Sequence, residues 1–344
     1  MSPIRLASIT LDRPVIQAPM AGVSTPALAA AVSNAGGLGS LGLGAMNATE
    51  AAAAIGQTRG LTDRPFGVNL FCHAPAHRDP GVEASWLNML APRFAAYGAS
   101  PPPRLTEIYP SFLTDDAMLR VLCAARPALV SFHFGLPDAA RLQALRDAGA
   151  VLGATVTSAA EAQAIVAAGL DLVIAQGWEA GGHRGLFDPA GADARLALPD
   201  LLASLRGLPI PVVAAGAIMR ATDTRDALAA GAVAVQCGTA FLRAPEAATT
   251  AAHRAALSRG ETTMTRAISG RPARSISNLL TAIDDAAAPD YPVAYDAAKA
   301  LNAAALAAGE TGYGAQWAGT GAAQAVARPA ADTVAALTPR PPTR

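Results

Sequence analysis

The segment Leu172–Gly185 contains the residues of this chain that are best suited to chemistry. Its apolar run ends in Gln176, and a glycine-rich loop then presents His183. Such a run is typical of a buried parallel strand, and the glycines after it let the backbone approach a ligand closely. A histidine at the carboxyl end of a strand can serve as an acid, a base or a hydrogen-bond donor. The pattern predicts a functional His183, with an incidental surface histidine as the alternative.

Polar side chains also lie at the ends of other apolar runs. Asn69, Gln176 and Gln236 are amides in such positions. A buried amide without a partner is costly, so these three are expected to face a ligand or each other. Their donors and acceptors suit the alternating edge of a flavin ring. His133 ends a further apolar run, and two roles stay open for it: a second active-site group or a core histidine.

Two glycine loops have the composition of phosphate-binding turns. Gly216-Ala217 follows the seventh predicted strand, and Gly238-Thr239 follows the eighth. In barrels, loops at these positions often bind phosphate through backbone N–H groups. The loops therefore predict a phosphorylated cofactor, and Gly181 could extend the same cradle. Ordinary glycine turns are the alternative.

A third glycine pattern does not predict a cofactor site. Gly37–Gly42 matches the dinucleotide-binding sequence G-x-G-x-x-G, which requires a strand before it and a helix after it. Here the pattern follows a predicted helix and contains the next strand, so the order is reversed. We therefore reject a Rossmann-type site.

The first two-thirds of the chain predict the scaffold for these groups. Short apolar strands alternate with alanine-rich helices, and repeated βα units require a parallel sheet. The predicted strands are Val15–Ala18, Leu38–Leu41, Phe66–Leu70, Leu129–His133, Val151–Val156, Leu172–Gln176, Val212–Ala215 and Ala234–Cys237. The predicted helices are Thr25–Ala35, Ala48–Thr58, Ala139–Ala148, Ala159–Ala168 and Thr222–Ala230. Eight repeats favour a closed TIM (β/α)₈ barrel over a doubly wound sheet, which shows the same alternation.

Two segments do not fit this repeat. Residues 72–128 are too long for one βα loop, and residues 241–327 are expected to be helical and irregular. Insertions of this size usually cover the active-site face. We expect the barrel to comprise 1–71 and 129–240. The insertions are expected to form a smaller, mainly helical domain, and residues 328–344 a frayed tail.

The second insertion carries a further candidate site. Tyr291, Tyr295 and Lys299 are spaced as on one helix face, and a mixed packing face is the alternative. Three other histidines have no supporting pattern and are expected to be exposed: His73, His77 and His253.

Charge and cysteine content exclude several classes of protein. The 344 residues include 26 basic and 26 acidic side chains, so no partner is expected among nucleic acids or membranes. Cys72, Cys123 and Cys237 form no metal-ligand spacing or disulfide framework, which is typical of a reducing cytosol. With no signal-peptide pattern and no membrane-spanning run, the sequence predicts a cytoplasmic protein.

Several ordered motifs resemble those of the nitronate monooxygenase family, formerly called 2-nitropropane dioxygenase, in its bacterial class I branch. They are Q-A-P-M-A-G-V-S-T-P from Gln17, N-A-G-G-L-G from Asn34, G-V-N-L-F from Gly67, S-F-H-F-G from Ser131, A-Q-G from Ala175, G-H-R-G from Gly182, Q-C-G-T from Gln236 and Q-W-A-G from Gln316. The resemblance covers nearly the whole chain. It implies a TIM barrel with a smaller, mainly helical second domain and non-covalently bound FMN. Thr320 stands where Gln is expected.

The resemblance also implies roles for individual residues. His183 would be the catalytic base. The active site would be lined by His133, Tyr109, Tyr291, Tyr295 and Lys299. FMN would be bound by Pro19, Met20, Ala21, Asn69, Gln176, Gly181, Gly216, Ala217, Gln236, Cys237, Gly238 and Thr239.

The reaction that the resemblance implies is oxidation of an alkyl nitronate, such as propionate 3-nitronate, by O₂ to a carbonyl compound and nitrite. It needs no NAD(P)H and passes through an anionic flavin semiquinone. The partners would be the small nitronate and O₂, and the protein a monomer or homodimer. Two alternatives stay open: an FMN-dependent NAD(P)H:quinone or enoyl-thioester reductase on the same scaffold, and a non-catalytic FMN-binding protein.

Overall fold

The computed structural model describes residues 3–340 of the chain. The strands are β1 Ile4–Leu6, β2 Ile9–Leu11, β3 Val15–Gln17, β4 Gly39–Gly42, β5 Phe66–Phe71, β6 Leu129–His133, β7 Val151–Val156, β8 Leu172–Gln176, β9 Gly182–His183, β10 Val212–Ala215, β11 Ala234–Cys237, β12 Thr262–Thr265 and β13 Ala273–Ile276. The α-helices are α1 Pro26–Asn34, α2 Ala48–Leu61, α3 Pro80–Ala95, α4 Asp116–Ala125, α5 Ala139–Asp147, α6 Ala159–Ala167, α7 Leu198–Ser204, α8 Ala221–Ala229, α9 Ala251–Ala256, α10 Val293–Ala307 and α11 Ala330–Leu337.

Eight of these strands form a parallel barrel. The sheet order is β3-β11-β10-β8-β7-β6-β5-β4, and neighbouring strands are parallel. The two edges also meet, because Ile16 pairs with Leu38 and the Gln17 N–H donates to the Leu38 carbonyl at 2.9 Å. An open doubly wound sheet would keep these edges apart. The predicted TIM barrel is therefore confirmed, with strand ends within one residue of the expected ones.

Polar caps begin the helices that return the chain between strands. The Thr25 side chain accepts from the Leu28 N–H at the start of α1, and Ser158 accepts from the Glu161 N–H at the start of α6. Asn47 and Glu50 form a reciprocal capping box at α2. Each cap satisfies an N–H that has no partner within its helix, which stabilises the helix by about 1 kcal/mol.

An antiparallel hairpin closes the amino-terminal end of the barrel. β1 pairs with β2, and the hairpin buries Leu6, Ile9 and Leu11. These side chains pack with Leu129 and Leu172, which begin their barrel strands. This end of the barrel is consequently filled by apolar side chains.

The two insertions share a second apolar cluster. Trp86 and Leu90 of α3 pack with Val293 and Leu301 of α10. The second insertion is not only helical, because β12 and β13 form a hairpin within it, and β13 also pairs with β9. The expectation of helical and irregular structure from 241 to 327 is wrong at this hairpin. The division of the chain into two domains stays a prediction.

The carboxyl-terminal segment is more ordered than expected. Residues 330–337 form α11, whose Val334 and Leu337 are buried in the main apolar core. The prediction of a frayed tail is therefore wrong for residues 330–337, because the apolar face of α11 packs against α1 and α8. Residues 341–344 lie outside the described residues. Over the described part of the chain, no helix has both the length and the apolar character that crossing a membrane requires.

Two histidines expected to be exposed are buried. His73 packs edge-on against the Tyr291 ring, with centroids 4.9 Å apart, and His253 lies buried in α9. The insertions fold onto the barrel, so segments without an apolar pattern become enclosed. His77 is exposed, as expected.

Candidate active site

A cavity of about 870 Å³ opens at the carboxyl ends of the barrel strands. Its wall includes every residue that the sequence proposes for the site: Pro19, Met20, Ala21, Asn69, Tyr109, His133, Gln176, Gly181, His183, Gly216, Ala217, Gln236, Cys237, Gly238, Thr239, Tyr291, Tyr295 and Lys299. A volume of this size is typical of a ligand or cofactor site.

The three strand-end amides all line this cavity. The Asn69 amide donates to the Ser131 carbonyl and hydroxyl at 3.1 and 3.0 Å. Gln176 donates to the His183 carbonyl at 2.8 Å and accepts from the Gly185 N–H at 2.9 Å. Gln236 is half-buried at the end of β11. The first two amides are therefore held in place by the protein, with their residues at the cavity wall.

The two glycine loops in the cavity wall carry unpaired backbone donors. Within residues 3–340, the N–H groups of Gly216, Ala217, Gly238 and Thr239 donate to no protein acceptor. Gly216 has a φ of +131°, which a residue with a side chain rarely adopts. All four residues are half-buried in the cavity wall, and unpaired N–H groups of barrel loops at these positions commonly bind an anionic group such as phosphate.

Gly181 lies in the same wall, where its backbone comes very close to the backbone of residues 318 and 319. A Cβ atom at Gly181 would lie 2.4 Å from the Ala318 carbonyl carbon and from the Gly319 nitrogen. The loop bearing residues 318 and 319 is fixed from the other side, because the Gly319 N–H donates to the Thr239 hydroxyl at 3.0 Å. Thr320, which stands where Gln is expected, follows this loop; its side chain is exposed, and its backbone N–H donates to the Glu179 carbonyl at 3.0 Å.

His183 is fixed by a strand pairing that sequence reasoning missed. It belongs to β9, whose two residues pair with β13 of the second insertion, with His183 opposite Ala273. Its ring packs against Trp317 and Tyr291, with centroids 5.0 and 5.5 Å away. Its carbonyl accepts from Gln176, and His133 Nε2 lies 3.2 Å from the same oxygen. A strand of two residues has no periodic signal in the sequence.

Both histidines are neutral at neutral pH. Burial, together with smaller contributions from the nearby His133 and Arg271, lowers the pKa of His183 to about 3. Burial likewise lowers the pKa of His133 to about 4. A neutral imidazole has one bare nitrogen, so each ring can accept a proton or a hydrogen bond.

Arg271 is a buried cation that the sequence did not single out. Its guanidinium lies 4.2 Å from the centre of the Phe134 ring and donates to the Leu186 carbonyl at 2.6 Å. No carboxylate lies within ion-pairing distance of it in the described part of the chain. Phe134, which also packs against His183, has a φ of +76°. Arg271 lies where the sequence shows no regular pattern, and Phe134 is one apolar residue of the S-F-H-F-G motif, so neither was singled out.

The second insertion brings a cation and phenols to the cavity mouth. Lys299 Nζ donates to the Tyr109 hydroxyl at 3.0 Å and lies 5.1 Å from the centre of that ring. Tyr295 is one turn earlier on α10, and its ring centre is 6.0 Å from Nζ. Tyr291 precedes α10, so the prediction that all three residues share a helix face is wrong for it. Its buried ring instead contacts His183, and burial raises the pKa of its phenol, which stays neutral.

Comparison with known proteins agrees with this geometry. A family model described as nitronate monooxygenase matches residues 3–340. A nitronate monooxygenase from Paraburkholderia phytofirmans is 55% identical over 342 residues, covering 96% of this chain and 93% of the relative. One from Pseudomonas aeruginosa is 52% identical over 339 residues, covering 95% of each chain. The solved structure of nitroalkane oxidase from Streptomyces ansochromogenes superposes with a TM-score of 0.87 at 41% identity, covering 95% of both chains.

These matches extend from the barrel through both insertions, so they include the whole cavity wall. The sequence resemblance is thereby confirmed, and the chain is an oxidoreductase. The chain belongs to the nitronate monooxygenase family.

Proposed function

We propose that this chain uses bound FMN to oxidise alkyl nitronates with O₂, giving a carbonyl compound and nitrite. The observation that carries the proposal is a single cavity that combines unpaired N–H groups, strand-end amides and two neutral histidines. Nitronates are electron-rich anions, and the family and its relatives are named for them, whereas the solved structure is named for nitroalkanes, their protonated precursors.

The cavity fits a flavin that carries a phosphate. The N–H groups at Gly216-Ala217 and Gly238-Thr239 would bind the phosphate, at the position where barrels commonly bind one. Asn69 and Gln176 would face the ring edge, and Gly181 keeps side-chain atoms out of the cradle. When bound, the flavin accepts electrons from the substrate and passes them to O₂.

His183 would act only on substrates that still carry their α-proton. A nitronate is already deprotonated and needs no base, whereas a neutral nitroalkane must lose a proton first. His183 is neutral and lines the cavity, so it can accept that proton. The transfer produces an imidazolium next to a nitronate anion, and this attraction favours the charged ring in spite of its burial.

Lys299 would recognise the negative end of the substrate. It is the only lysine of the sequence, whereas the other 25 of the 26 basic residues are arginines. It forms no ion pair within the described residues, so its ammonium is available to a carboxylate such as that of propionate 3-nitronate. The Tyr109 hydroxyl orients the ammonium, and two aromatic rings lie beside it.

The proposal is tested by recording the absorbance of the purified yellow protein during anaerobic addition of propionate 3-nitronate. We expect prompt loss of the oxidised-flavin bands, recovery of these bands on admission of O₂, and release of nitrite. An unchanged spectrum with the nitronate, together with bleaching by NADH, would instead establish the NAD(P)H-dependent reductase. Flavin that responds to neither donor would indicate a non-catalytic flavin-binding protein.

A further inference from the structure

Ser269 lies behind His183 and is fully buried between β12 and β13. Its Oγ is 2.9 Å from His183 Nε2 and 3.3 Å from the Arg271 carbonyl oxygen. The Arg271 N–H also points at this Oγ, at 3.4 Å. Ser269 does not line the cavity, so it reaches the substrate only through the imidazole.

The single hydroxyl proton of Ser269 has two possible acceptors. The Arg271 carbonyl can only accept, and within residues 3–340 it has no donor other than this hydroxyl. If the proton goes to that carbonyl, Oγ is left to accept from the Arg271 N–H and from His183, and every group is paired. If the proton goes to His183 instead, a buried carbonyl is left unpaired, at a cost of about 1–3 kcal/mol.

We propose that Ser269 is a positioning residue that holds His183 in the tautomer with its proton on Nε2, leaving Nδ1 as the nitrogen that accepts the substrate proton. This inference rests on the proposed function of His183 as a base. Nδ1 has no partner within the described residues, and the ring lines the cavity. Nε2 is engaged with Ser269, so the base function belongs to the other nitrogen.

His133 provides an internal reference for this assignment. Its Nε2 lies 3.2 Å from the His183 carbonyl, which can only accept, so His133 carries its proton on Nε2. Both histidines therefore donate back to the protein from Nε2. The two histidines differ in the group that fixes the tautomer. For His133 it is a carbonyl, which can only accept, and for His183 it is a hydroxyl, which could either donate or accept.

The tautomer can be measured directly by ¹⁵N NMR of the flavin-loaded protein with labelled histidines. A His183→Asn variant assigns the His183 signals by their loss. We expect the natural protein to show Nε2–H for both His133 and His183, and Ser269→Ala to shift only His183 towards a mixture of tautomers. An Nδ1–H signal for His183 in the natural protein would overturn the proposal without any need for a Ser269 variant.

Kinetics with two substrates give a second readout. Ser269→Ala should lower kcat/KM for nitroethane about tenfold, the equivalent of roughly 1.4 kcal/mol, and that for ethylnitronate less than twofold. Ser275→Ala is the matched control, because Ser275 is equally buried on β13 and does not touch His183; it should leave both values unchanged. Equal losses on both substrates would show that Ser269 is merely structural. Failure of the proposed function itself would appear separately, as no turnover of either substrate with the NMR result unaffected.

Discussion

The two ends of the barrel are built from the same strands but have opposite chemistry. At the amino-terminal end, apolar residues such as Leu129 and Leu172 pack under the β1–β2 hairpin. At the carboxyl end, the polar side chains of His133 and Gln176, on the same two strands, line an open cavity. One end thus stabilises the fold by apolar packing, and the other places polar side chains at a cavity where they can do chemistry. The comparison implies that stability and activity can be altered separately.

The largest effect is expected at the cavity end, from His183→Asn. This change should lower nitroalkane turnover by about 10²–10⁴-fold, because positioned proton acceptors generally contribute that much. Nitronate turnover should fall far less, since that substrate has no proton to lose. Steady-state rates with nitroethane and ethylnitronate, each at saturating O₂, give the comparison. Equal losses on both would refute the base assignment of His183.

A substitution at the amino-terminal end of the barrel should change the stability of the protein and leave its activity unchanged. Leu172→Ala removes a fully buried side chain at the start of β8 and should lower the free energy of unfolding by about 2–5 kcal/mol. The kcat/KM of the folded protein should stay within about twofold of the natural value, because the cavity is at the far end of the same strand. Urea unfolding and steady-state kinetics measure the two quantities. A large loss of kcat/KM in folded Leu172→Ala would mean that the two ends are coupled.

At the cavity mouth, Lys299→Met should change substrate preference. We expect KM for propionate 3-nitronate to rise about tenfold, because a charge-assisted hydrogen bond to the carboxylate is lost. KM for ethylnitronate, which has no carboxylate, should change little. Lys299→Arg is the matched control: it keeps the charge and should retain most of the preference. A loss that is equal for both substrates would exclude carboxylate recognition by Lys299.

The smallest effect on kcat/KM is expected from a change of pH, and its small size would itself test whether His183 is neutral. Burial, with smaller contributions from His133, Arg271 and His73, lowers the pKa of His183 to about 3, so its imidazole is unprotonated well below neutral pH. For nitroethane, kcat/KM should therefore change by less than about twofold between pH 5.5 and 7. A base with an ordinary histidine pKa would lose nearly tenfold over the same range. A break near pH 6.5 would contradict the neutral state derived from burial.

The barrel and the cavity wall could be predicted from the sequence because their signals are local. Strands such as Leu172–Gln176 are short apolar runs, and Gly216 and Gly238 directly follow strands of this kind. The contacts that orient the site are not local. Ser269, Arg271 and the pairing of β9 with β13 join segments far apart in the chain, and none of them has a periodic pattern. The fold of the insertions over the barrel decides which of these residues become buried.

The only lysine of the sequence, Lys299, lies at the mouth of the cavity. Reagents that acylate primary amines at mildly alkaline pH therefore have one side-chain target in this sequence, and that target lines the cavity. A fluorophore attached there would report directly on ligand entry. Coupling the protein to a solid support through this side chain would, for the same reason, obstruct the cavity, so immobilisation calls for a different chemical handle.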